Sequence, residues 1–99
     1  MNQIELLDAG ESNDVFTAME NKPDFCEGKE TGDFYESEKG NTLEIAAPCE
    51  KYKHGAVYLR SKQGTVLRMA KITSNHNSVI IALNETQHQA WRMHLVQAV

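Results

Sequence analysis

Apolar positions are unevenly spaced along this 99-residue chain, and their rhythm changes near its middle. At the start, Ile4 and Leu6 lie on one side of an imperfect alternation that Leu7 interrupts, which predicts a short strand over residues 2–7. Ser12 can then cap a segment in which Val15, Phe16, Ala18 and Met19 recur at the i, i+1, i+3, i+4 spacing of one helical face. Pro23 lacks an amide to donate and biases the residue before it away from helical angles. The expectation is a short helix over residues 13–20.

Residues 22–41 are polar, with Phe25, Phe34 and Tyr35 as their large apolar anchors, and 22–33 reads as a mobile acidic loop. The second part predicts a hairpin: 34–38 and 42–47 flank Lys39, Gly40 and Asn41, where glycine and asparagine tolerate the positive φ of a tight turn. Beyond Lys51, Lys53 and His54 come three stronger strand signals, over 56–60, 65–72 and 78–83. Gly64, in the turn at 61–64, suits a left-handed position beside a bulge, and 73–77 reads as a polar turn.

Residues 79–83 are continuously apolar, which implies a strand covered on both faces. The expected cover is a helix over 85–97. Asn84 can cap it, Gln87 can return the bond, and Gln87, Trp91, Leu95 and Ala98, with Ala90 and His94 beside them, share one helical face. Trp91 is its expected anchor.

Together these elements predict one domain, residues 1–99, of the α+β class. It is an antiparallel sheet of four to six strands in hairpin order, with a C-terminal helix packed on one face and a short N-terminal helix. A chain this short removes only roughly 65% of its unfolded surface from water. A symmetric homodimer completing the core is therefore expected over a monomer. No apolar run approaches the roughly 18 residues of a membrane span, and the start lacks the basic-then-apolar pattern of a secretion signal. No membrane partner and a cytoplasmic location are the expectations.

Charge divides the chain more sharply than hydropathy does. The total of −4 conceals a first half, 1–50, with thirteen acids against three lysines, a net −10. The second half has Glu85 alone against seven basic residues, a net +6, and all four histidines. Either the halves neutralise one another in the fold or they form two differently charged surfaces.

Candidate chemistry is sparse. Cys26 and Cys49 form no C-x-x-C and are expected as reduced thiols. The histidines are scattered, and the acids between Asp24 and Glu38 miss the calcium-loop template, so no metal or cofactor is assigned. No G-x-S-x-G, H-E-x-x-H or glycine-rich phosphate loop occurs. Cys49 and His54 are the right types for a nucleophile and its base, yet no third group orients them, and Cys49 reads as an ordinary loop thiol.

Arg60, Lys62, Arg68 and Lys71 surround Tyr58 on the predicted 56–72 hairpin. With Arg60 opposite Thr65, Tyr58 opposite Leu67 and Val57 opposite Arg68, the residues Tyr58, Arg60 and Lys71 share a face. Arg68 takes the other face, placed to neutralise an acid from the first half. The function expected is a non-catalytic protein-interaction or accessory module, with Tyr58, Arg60, Lys62 and Lys71 as its surface and a protein or its own copy as partner. One alternative is a nucleic-acid-binding module using the basic half, disfavoured by the divided arginines and the negative total charge. Another is a small ligand-binding or enzymatic domain with a pocket near Trp91 and His94.

Overall fold

The structure is a computed structural model and describes residues 2–8, 14–20, 31–75 and 78–97. Its strands are β1 (Asn2–Asp8), β2 (Asp14–Ala18), β3 (Thr31–Ser37), β4 (Thr42–Ala46), β5 (Ala56–Arg60), β6 (Val66–Asn75), β7 (Val79–Asn84) and β8 (Gln89–Gln97). Each pairs antiparallel with the next, and β8 returns to β1 from Asn2↔Gln97 to Asp8↔Trp91, closing an eight-stranded barrel. The α+β expectation, with four to six strands and two helices, is thereby corrected: every regular element among the described residues is a strand.

The C-terminal correction has a clear physical cause. Residues 89–97 also fit a period of two: Trp91, Met93 and Leu95 point inward while Arg92 and His94 point outward. As a helix this segment would leave the edges of β1 and β7 unpaired, whereas as a strand it satisfies both. Asn84 and Gln87 do bond one another, but not as the cap of a helix. The Gln87 amide N–H donates to Asn84 Oδ1 at 3.2 Å, and Asn84 Nδ2 donates to Gln87 Oε1 at 3.4 Å. These bonds close a hairpin turn, which His88 leaves at φ 54°, instead of opening a helix.

The N-terminal segment behaves alike. Phe16 and Ala18 face the core, Val15 and Thr17 face out, and β2 is held between β1 and β3 through Ile4↔Phe16 and Phe16↔Ser37. The proposed cap Ser12 and most of the 22–33 loop lie outside the described residues, but Thr31, Gly32 and Asp33 belong to β3. The strands expected over 2–7, 34–38, 42–47, 56–60, 65–72 and 78–83 are present with small shifts, and β6 continues through Asn75 where a turn was expected.

An eight-stranded barrel has an interior just wide enough for side chains to fill. Ile4, Phe16, Tyr35, Leu43, Val57, Ile72, Trp91 and Met93 occupy it. Outward positions carry Glu5, Glu36, Arg60, Lys71 and Arg92, the reverse of the polarity of barrels that cross membranes. In β7, Ile80 and Ala82 are buried while Val79, Ile81 and Leu83 lie half-buried on the outside, and among the described residues no helix covers them. Among the described residues, no helix is long and apolar enough to cross a membrane.

Candidate functional site on the outer face of the β5–β6 hairpin

Alternation sends Val57 and Leu59 into the barrel and Tyr58 and Arg60 out. On β6, Ala70 and Ile72 face in and Met69 and Lys71 face out. The observed register is Ala56↔Lys71, Tyr58↔Met69, Leu59↔Arg68 and Arg60↔Val66, with a shift between Leu59 and Arg60. That shift is a bulge that leaves Leu67 as an extra residue. Gly64, at φ 90°, occupies the left-handed position in the adjoining turn, as its sequence position suggests. The bulge displaces the register from the expected one without changing the faces of Tyr58, Arg60, Lys71 and Arg68.

Because of the bulge, Val66 and Leu67 stand side by side on the surface, 45% and 51% exposed. Beside them Arg60 is fixed from three sides. Its Nε donates to Glu44 Oε2 at 3.4 Å, its Nη1 donates to the Gly64 carbonyl at 3.0 Å, and its guanidinium lies 5.8 Å from the centre of the Tyr58 ring. Glu44 is only 2% exposed although it lies on the outer face opposite Tyr58, and the guanidinium helps to compensate its buried carboxylate. A Cβ added at Gly40 would meet Lys62 Cδ at 3.4 Å, so the Lys62 stem runs along the neighbouring β3–β4 turn.

Lys71 stands further along β6 and pairs with Glu85 in the β7–β8 turn. The Lys71 hydrogen bond and charge hold the Glu85 carboxyl below its usual range, with a smaller contribution from His88. The sequence-predicted surface residues Tyr58, Arg60, Lys62 and Lys71 thus all lie on the outside of one hairpin. Two of their charges are already committed to acids.

Arg68 faces the interior, its guanidinium 5.9 Å from the Trp91 ring centre. An acid from the first half, Glu44, pairs with Arg60. Trp91 and His94 are not brought together: three positions apart on a strand, they point to opposite faces. Trp91 is 1% exposed in the core, and His94 lies outside between Val79 and Glu5. The Trp91 indole N–H and the Ser37 hydroxyl are buried without a hydrogen-bond partner.

Cys49 has an exposed free thiol in the β4–β5 loop, and Cys26 lies outside the described residues. The Cys49 sulfur accepts the Tyr52 amide N–H at 3.4 Å, and the Cys49 N–H donates to the Tyr52 carbonyl at 2.9 Å, a local turn. Among the described residues no group of three or more His, Cys, Asp or Glu could hold a metal ion.

Two features of this surface escaped the sequence reading, the exposure of Val66 and Leu67 and the role of Glu44. The first had a signal, since two adjacent apolar residues directly after a glycine turn break the alternation as a bulge does. The second had none, because strand pairing decides it for two residues 16 positions apart. No family model matches the chain, and no curated protein or solved structure matches it either.

Proposed function

We propose that this chain is a non-catalytic interaction module that receives a protein partner on the outer face of the β5–β6 hairpin. The observation that carries the reading is the pairing of two exposed aliphatic side chains, Val66 and Leu67, with an arginine held in place by Glu44 and Gly64 and the tyrosine ring beside it. Tyrosine, arginine and methionine are the types enriched in interface centres. Ordering Arg60 before binding removes an entropic cost that docking would otherwise carry. A cytoplasmic setting, which keeps the exposed Cys49 thiol reduced, belongs to the same reading.

The nucleic-acid alternative is weaker on this surface. Arg60 is compensated by Glu44, Lys71 by Glu85, and Arg68 points inward, so few basic groups remain to neutralise phosphates.

The test is a photo-reactive residue at Val66 in living cells, with the same residue at exposed Thr73 as control. A defined protein adduct is expected from position 66 and not from 73, lost on Leu67→Asp or Tyr58→Ala. Titration with labelled oligonucleotides at low salt is expected to show no binding. Micromolar affinity with a steep salt slope, lost in Lys62→Glu, would overturn the proposal in favour of nucleic acid.

A further inference from the structure

Exposed aliphatic side chains stand on two sides of the barrel. Val66 and Leu67 begin β6, while Val15, 44% exposed, is the second residue of β2. In the closed order β1 to β8, three strands separate β2 from β6 in either direction, so the two patches are diametrically opposed. Both lie towards the end of the barrel where β1 connects to β2 and β5 to β6.

Their surroundings have opposite charge. Val15 lies across from Glu5 on β1, and Glu36 on β3 stands across from the next outward residue of β2, Thr17. The Val66–Leu67 patch has exposed Lys62 in its turn, while the neighbouring Arg60 is paired with Glu44. Because the barrel is a simple meander, β1 to β4 form one wall and β5 to β8 the other, so exposed Glu36 and exposed Lys62 are carried on different walls.

We infer that these two walls are complementary docking surfaces and that the partner is a second copy of this chain: the Val66–Leu67 side of one barrel seats on the Val15 side of the next. The inference rests on the proposed role of the β5–β6 face. A symmetric contact is disfavoured, since it would set Lys62 against Lys62 or Glu36 against Glu36. The contact is therefore heterologous, and with its two surfaces on opposite sides it does not close into a small ring. Barrels add side by side in an open row. A standard interface takes about 800 Å² per partner, roughly an eighth of the 6563 Å² surface, which one wall can supply.

Sedimentation velocity of the full chain, at rising concentration in about 0.05 M and about 1 M salt, reads this directly. The expected result is a weight-average mass that climbs past the dimer at low salt and returns to the monomer at high salt. Val15→Lys and Leu67→Glu each remove one surface, so each alone stays monomeric. Mixed in equal amounts, they form a one-to-one dimer and nothing larger, because each contributes its one intact surface. Glu36→Lys and Lys62→Glu serve the same experiment if an aliphatic variant loses its cooperative melt.

A wild-type chain that is monomeric at every concentration, a single variant that still dimerises, or a mixture that stays monomeric would each overturn the inference. Should that happen while position 66 still yields its adduct with a different protein, the interaction-module reading stands and only the identity of the partner falls.

Discussion

Glu44 and Arg60 form an ion pair on the outer surface, yet the carboxylate is almost inaccessible to water. Removing one partner leaves a desolvated charge behind, so Arg60→Ala should cost about 3 kcal/mol, the low end for breaking a buried pair. The joint replacement of Glu44→Leu with Arg60→Met should recover most of that loss. Urea unfolding of the single and double variants measures both. Trp91 is buried in the barrel core instead of anchoring a helix, and Trp91→Ala should destabilise by about 3–5 kcal/mol in thermal unfolding. Tyr35 gives a pH signature. Burial, with the Asp33 charge adding to it, raises the phenol above its ordinary value of 10.0. Above that pH the unfolded chain releases a proton that the folded one retains, so stability falls as pH rises further. Denaturation midpoints on either side of this pH should show the decline, and Tyr35→Phe should flatten it.

At the scale of the elements, the β4–β5 connection depends on a glycine. Gly55 has φ 94°, its carbonyl accepts the Ile72 N–H at 2.8 Å, and an added Cβ would lie 2.5 Å from the Ala46 carbonyl oxygen. Gly64→Ala should cost about 1–2 kcal/mol, the usual penalty of a left-handed alanine. Gly55→Ala should cost more, because the clash adds to the strain, and the two chemical-denaturation midpoints give the order directly. The β7–β8 turn shows what kind of local information the chain contains. Asn84 and Gln87 make the bonds that their types and spacing suggest, but those bonds are common to a hairpin turn and a helical first turn.

At the scale of the whole molecule, the two halves of the chain meet along two seams, β4–β5, where Glu44 pairs with Arg60, and β8–β1. Away from those seams, the outward charges of β2 and β3 and those of β6 and β7 stand on opposite sides of a barrel whose shortest extent is 25 Å, well beyond the roughly 10 Å over which charges act at 0.1 M salt. Like charges on one wall are closer than that and repel. Added salt should therefore leave the unfolding midpoint unchanged or raise it, the opposite of the loss expected if the halves neutralised each other. Guanidinium chloride would mask the effect, so urea titrations at low and moderate sodium chloride are the appropriate measurement.

The turns at Gly40 and Gly64, the strand over residues 56–60, the outward placement of Tyr58, Arg60 and Lys71, and the division of charge were all legible in the residues. Each depends on contacts within a few positions, where glycine φ preference and side-chain alternation act directly. The identity of 14–18 and 89–97 was not legible, because short apolar segments fit periods of 3.6 and 2 alike. Pairing with β1 and β3 decided it for 14–18, and pairing with β1 and β7 decided it for 89–97. An unpaired strand edge leaves a row of amides and carbonyls without partners, and closing the barrel satisfies that row at once. This non-local gain outweighs the helical preference of any one segment, and it also determines which surface residues become neighbours and which charges end up on opposite sides.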